Sequence, residues 1–96
     1  MSDLFDLTGK VALVTGASSG LGVQFARALA KQGAKLALLA RREEKLQAVQ
    51  KEIEDLRVEC IYQKCDVSDS NNIKEAVKAV LDHYGTIDIL VNNAGI

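Results

Sequence analysis

The chain has 96 residues, 48% of them hydrophobic and 26% charged, with 12 Lys and Arg against 13 Asp and Glu. That length supports one small folded unit, residues 1–96, and the near-zero net charge offers no broad field for nucleic acid or an anionic membrane. No apolar run is long enough to span a bilayer, and residues 1–6 lack the basic start and apolar core of a secretory signal, so a cytoplasmic location is expected.

Residues 10–14 (Lys-Val-Ala-Leu-Val) are the Val-rich apolar run of a strand buried on both faces. Thr-Gly-Ala-Ser-Ser-Gly-Leu-Gly follows at residues 15–22 and reads as a phosphate cradle. Gly16 lets the chain turn sharply out of the strand. Gly20 and Gly22 lack a Cβ, which lets a diphosphate approach the backbone and a helix pack close to the sheet. Free N–H groups in the first helical turn favour negative charge, and the hydroxyls of Ser18 and Ser19 add donors. Leu21, Phe25, Ala28 and Leu29 recur at helical spacing and predict the buried face of that helix. The Gly-x3-Gly-x-Gly spacing differs from the commoner Gly-x-Gly-x-x-Gly and is no Walker loop. A purely structural tight turn is the competing reading.

Gly33 stops the first helix, and residues 35–40 form a second buried strand. Leu46, Val49, Ile53 and Leu56 mark one face of a second helix. Residues 58–65 read as a third strand. Ser68, Asp69 or Ser70 can cap a third helix whose buried face carries Ile73, Val77, Val80, Leu81 and Tyr84, and Gly85 ends it. Residues 87–91 are a fourth, almost wholly apolar strand, followed by Asn92, Asn93, Ala94 and Gly95. Strict alternation of strand and helix with short connections implies right-handed crossovers and a doubly wound, Rossmann-type parallel α/β sheet. A fourth strand of this kind is expected to be covered on both faces and paired on both edges. The expectation is therefore the N-terminal half of such a fold, within a longer protein or completed by a second chain.

Cys60 and Cys65 fall in the third strand on opposite faces, roughly 16 Å apart, which excludes a mutual disulfide. His83 is the only histidine, so no zinc set is present, and both thiols read as packing residues. His83 and Tyr84 are expected at a helix end.

The end of the second strand faces the adenosine ribose in a dinucleotide fold, where an acid would repel a 2′-phosphate. Here Ala40 is followed by Arg41 and Arg42, so the charge pattern favours NADP over NAD; solvation of a helix start is the alternative. Asp66 can accept a hydrogen bond from the adenine amino group while the Val67 backbone meets the ring edge, or Asp66 can simply start a turn. Side-chain amides of Asn92 and Asn93 can tie strand ends together, and Ala94 and Gly95 leave room for a flat ring.

The glycine loop, Cys65-Asp66-Val67 and Asn92-Asn93-Ala94-Gly95, in this order, resemble the short-chain dehydrogenase/reductase family over nearly the whole chain. The resemblance implies that residues 16–22 bind the cofactor diphosphate, Asp66 and Val67 the adenine, and Asn93, Ala94 and Gly95 the nicotinamide side, with Asn92 steadying the sheet. Arg41 matches the basic position of NADP-preferring members. Many of those also carry a basic residue where this chain has Ser19, so use of NAD stays open. The family's catalytic Asn, Ser and Tyr-x-x-x-Lys lie beyond the Asn-Asn-Ala-Gly segment; Tyr62 and Tyr84 do not match them, and no catalytic residue is assigned here. The implied activity of the complete protein is hydride transfer between NADP(H) and a small alcohol or ketone, in a homo-oligomer. Residues 5–16 look most like gluconate 5-dehydrogenase-type and 3-oxoacyl-reductase-type members, which suggests a sugar acid as substrate. The alternatives are a non-catalytic dinucleotide-binding or regulatory module, or a fragment that needs a partner to fold.

Overall fold

A computed structural model of the protein describes residues 6–93. Its elements are β1 (Val11–Thr15), α1 (Gly20–Lys31), β2 (Lys35–Ala40), α2 (Glu43–Glu54), β3 (Cys60–Lys64), α3 (Ser70–Tyr84) and β4 (Ile89–Asn92). All strand pairs are parallel, in the order β3-β2-β1-β4. The chain thus winds outward from β1 to β3 and then crosses back to the far side of β1. That reversal opens a crevice beyond the carboxyl ends of β1 and β4, as a Rossmann-like sheet requires.

Side chains alternate across the sheet with period two. Ala12, Val14, Leu36, Leu38, Ala40 and Cys60 face α1 and α2, whereas Leu13, Ala37, Leu39 and Cys65 face α3. Strands β1 and β2 are buried almost throughout, which explains their continuous apolar runs. Each fully buried leucine contributes about 1.5–3 kcal/mol, so this central pair anchors the fold.

Strand bounds shift by one or two residues from the sequence reading. β4 begins at Ile89 rather than at 87 because Asp88 closes the ladder itself: its N–H donates to the Val11 carbonyl, and its Oδ2 accepts from the Val11 N–H at 2.9 Å. Among the described residues β4 pairs with β1 only, and Leu90 is 65% exposed while Ile89 and Val91 are half-buried, the open edge expected of the N-terminal half of such a sheet.

The predicted face of α1 needs correction. Gly22, Ala26 and Ala30 are buried against the sheet, Leu29 is half-buried, and Leu21, Phe25 and Ala28 lie outward. The spacing is helical in both cases, but the sheet surface lies flush and admits only small residues. A Cβ on Gly22 would stand 2.2 Å from the Gly16 carbonyl oxygen, so glycine alone permits that approach. In α2, Leu46, Val49 and Ile53 are buried as predicted, while Leu56 lies past the helix and is exposed. The seam of α3 runs through Ala76 and Val80, with Ile73, Val77 and Tyr84 packed beside it. Leu81, about 100° round the helix from Val80, is exposed.

Cys60 and Cys65 are buried free thiols on opposite faces, Cys65 lying one residue beyond β3. Burial pushes the Cys60 thiol up to about 12, with Glu54 adding to the effect. Burial also raises Cys65, helped by the charges of Asp66 and Asp69. Both remain protonated packing groups, as expected. His83 Nε2 lies 2.6 Å from Glu59 Oε2, and the Tyr84 hydroxyl donates to the Leu36 carbonyl at 2.9 Å. These contacts lie at the amino ends of the strands, away from the glycine loop.

Candidate dinucleotide site

The loop after β1 turns at Gly16, whose φ of +65° strains any residue with a Cβ. Ser19 then precedes the first helical residue, but its side chain does not cap α1. Its hydroxyl instead donates to the Gly16 carbonyl at 3.0 Å, so this expected donor is engaged within the loop. Among the described residues no side chain accepts from the N–H groups of the first turn of α1, and the helix dipole points its positive end there. Asn93 braces the same loop: its Nδ2 donates to the Ser19 Oγ at 3.0 Å and the Gly16 carbonyl at 3.3 Å. Its backbone N–H donates to Thr15 Oγ1, and Thr15 donates to Asn92 Oδ1 at 3.0 Å. Both asparagines therefore tie the end of β4 to β1, as the sequence suggested for amides at that place.

A cavity of about 1070 Å³ runs along the carboxyl ends of the strands. It gathers Gly16, Ser18, Ser19, Arg41, Arg42, Asp66, Val67 and Asn93 of the expected set. Gly20, Leu21 and Gly22 do not line it. Gly22 is turned to the loop backbone, Leu21 is an exposed side chain, and a Cβ on Gly20 would meet nothing within 4 Å. Ala94 and Gly95 lie outside the described residues. Ala40, Lys64, Cys65, Ser68 and Asn72 also line the cavity, and none of these was singled out as a binding residue beforehand. For Asn72 a signal existed: it is the third residue of a helix capped by Asp69, a position whose side chain can reach back toward the preceding turn.

The Asp66–Val67 corner is tightly organised. Asp66 Oδ1 accepts from the Ser68 hydroxyl at 2.7 Å and the Ser68 N–H at 3.0 Å. These bonds, with a smaller contribution from the Arg41 charge, hold the Asp66 carboxyl below the usual carboxylate range, so it is an anion at neutral pH. The Cys65 N–H donates to the Ala40 carbonyl, the Asp66 N–H to Asn72 Oδ1 at 2.6 Å, and the Asp69 N–H to the Asp66 carbonyl. The Val67 N–H, on the cavity wall, has no partner among the described residues.

Fold, loop and corner can be set against known proteins. The profile of the short chain dehydrogenase family matches residues 10–96. The chain belongs to that family. An 11-beta-hydroxysteroid dehydrogenase-like 2 protein of Arabidopsis thaliana is 44% identical over 92 residues, covering 95% of this chain and 30% of that protein. A metagenomic short-chain oxidoreductase solved in complex with NADP superposes with a TM-score of 0.89 at 46% identity, over 95% of this chain and 41% of that one. NAD+-bound xylitol dehydrogenase superposes with a TM-score of 0.86 at 34% identity, over 88% and 32%. The chain spans about a third of the length of most of the curated relatives it matches, and 7% of one of them. Relatives named for a steroid and for a sugar alcohol match the same stretch, so the gluconate-type resemblance gains no support.

The tyrosines within this short chain dehydrogenase segment serve structure. Tyr62 accepts from Gln47 Nε2 at 3.0 Å. Burial, with the charge of Glu59, raises Tyr84 above its ordinary value, the opposite of what proton transfer at neutral pH requires. No helix among the described residues is long and apolar enough to cross a membrane, and no cluster of His, Cys, Asp and Glu there could hold a metal ion.

Proposed function

We propose that these residues form the NADP(H)-holding part of an oxidoreductase that acts on a small alcohol or ketone. One observation carries the reading: the order of groups along the cavity. Asn93 and the Gly16–Ser19 turn stand at one end, Arg41 and Arg42 follow, and Asp66–Val67 stand at the other, because the strand order is β3-β2-β1-β4. That sequence of donors, cations and a single acid matches nicotinamide side, diphosphate, ribose phosphate and adenine. The residues fit the group on two further counts. Among the described residues, the first turn of α1 has N–H groups that no side chain caps, with open space at Gly20, and Val67 offers an uncommitted N–H beside the Asp66 carboxylate. Such a cofactor supplies hydride chemistry.

In this reading the diphosphate lies on the amino end of α1, near Gly16, Ser18, Gly20, Leu21 and Gly22. Arg41 and Arg42 pair with the 2′-phosphate, a bidentate match for guanidinium. NAD remains a weaker alternative ligand, as Ser19 contributes no charge there. The neighbour solved with NADP supports the assignment, and the NAD+-bound neighbour keeps NAD in play. The complete protein is proposed to be a cytoplasmic homo-oligomer whose catalytic groups lie outside this segment.

The test is a double substitution, Arg41→Ala with Arg42→Ala, in the complete protein. NADPH binding should weaken by about tenfold to a hundredfold, while NADH changes by less than about twofold. Equal losses for both cofactors would remove the phosphate role from these arginines.

A further inference from the structure

We infer that Asn72 is a positioning residue that sets base recognition at the adenine end of the cavity. The inference rests on the NADP(H) reading above and adds a residue to it. Asn72 Oδ1 accepts the Asp66 N–H at 2.6 Å, from the first turn of α3 across the loop that follows β3. Its own backbone is fixed in turn, since the Asn71 and Asn72 N–H groups both donate to Asp69 Oδ1. Around this corner, among the described residues, every backbone N–H from residue 65 to 69 is committed except that of Val67. Asp66 Oδ1 is likewise engaged by Ser68, which leaves Oδ2 as the open acceptor of the carboxylate.

At Asp66 and Val67 the corner therefore offers the cavity the carboxylate Oδ2 as acceptor and the Val67 N–H as donor, in a fixed order. Adenine presents the complement along one edge, an amino donor beside a ring-nitrogen acceptor. Hypoxanthine and guanine present the reverse, an oxygen acceptor beside an N–H donor, and would set acceptor against acceptor and donor against donor. Asn72 maintains this order by removing the Asp66 N–H from competition. Without it, the Asp66 N–H becomes a second loose donor beside Val67, the turn loses its tie to α3, and the one-acceptor, one-donor pattern blurs. Asn72 itself contacts the turn rather than the base, so its effect shows as discrimination between bases.

The experiment compares wild type, Asn72→Ala and Asn72→Asp in the complete protein. Three ligands are titrated: NADPH, its analogue with hypoxanthine in place of adenine, and reduced nicotinamide mononucleotide, which has no base to read. In Asn72→Ala, NADPH should weaken by about fivefold to tenfold and the preference over the hypoxanthine analogue should fall to within about twofold, with the mononucleotide unchanged. Asn72→Asp keeps an acceptor for the Asp66 N–H and should restore the preference. Undiminished base preference in Asn72→Ala overturns the proposal, as does an equal loss for the mononucleotide, which marks a general structural defect. A wild-type protein that binds NADPH without preferring adenine overturns it too, while leaving the cofactor reading intact. Failure of the wild type to bind NADPH at all overturns both.

Discussion

Gly20 and Gly22 sit two positions apart in one loop and meet opposite surroundings. Gly22 has the Gly16 carbonyl oxygen 2.2 Å from where its Cβ would stand, whereas at Gly20 nothing lies within 4 Å. Gly22→Ala should therefore force backbone apart and destabilise the protein by about 2 kcal/mol or more. Gly20→Ala should leave Tm unchanged or slightly raised, yet weaken NADPH by about tenfold by placing a methyl group where the diphosphate is proposed to lie. Thermal melts and cofactor titrations of the two variants separate packing from binding. A Gly20→Ala protein with full affinity would remove the diphosphate from that end of α1. At this same scale Ser19 and Asn93 brace the loop with their polar atoms.

Each helix is fixed to its surroundings by a different device. α3 has a side-chain cap, Asp69, while α1 and α2 have none, and α1 is held by close packing of Gly22, Ala26 and Ala30. Arg27 of α1 pairs with Glu52 of α2 through two bonds of 2.6 and 2.5 Å. The Arg27 hydrogen bond, ahead of its charge, holds the Glu52 carboxyl below its ordinary 4.5. A depressed carboxylate stabilises the fold above its unfolded value and ceases to do so as pH falls through its folded value. Both side chains are substantially exposed, so the effect is modest. Arg27→Ala should lower Tm slightly near neutral pH, and the gap to wild type should close as pH falls below the ordinary carboxylate range. Melts across that range check it; a constant gap would mean that Arg27 acts through packing alone.

Taken whole, the molecule buries β1 and β2 and leaves the β4 side open. Leu90 is 65% exposed on β4, and Leu21 and Phe25 stand outward on α1. A second, apolar groove of about 320 Å³ lies over Leu13, Leu39, Val67, Val77 and Leu90. Apolar surface of this kind seeks a cover. The 96-residue chain on its own should bind an apolar dye and self-associate, and Leu90→Thr combined with Leu21→Gln should reduce both. Dye fluorescence and light scattering provide the check. An isolated chain that stays monomeric and dye-free would show that this side does not drive association.

Much of this was legible beforehand, and the reason is local. Apolar runs of period-free character at β1 and β2, helical spacing in α2, a cap at Ser68, Asp69 or Ser70 and the strand–helix alternation are written into neighbouring residues, and so are the glycine loop, the arginines after Ala40 and the Asp66–Val67 pair. The structure makes Asp69 the cap. The face of α1 was not legible, because hydrophobicity marks large residues while the flush sheet surface selects small ones, a choice made by a backbone contact between residues 16 and 22. The partners of Ser19 were hidden for the same reason, since Asn93 is 74 residues away along the chain. Asn72 was legible as the third residue of α3, a position that can reach back toward the preceding turn, but the turn between β3 and α3 decides that its carbonyl takes the Asp66 N–H. Sequence alone determined the order of elements and the residue types around the cavity. Tertiary structure decided which helix face is buried, which polar groups are already committed to one another, and which are left facing the cavity, because those outcomes depend on distances between segments far apart in the chain.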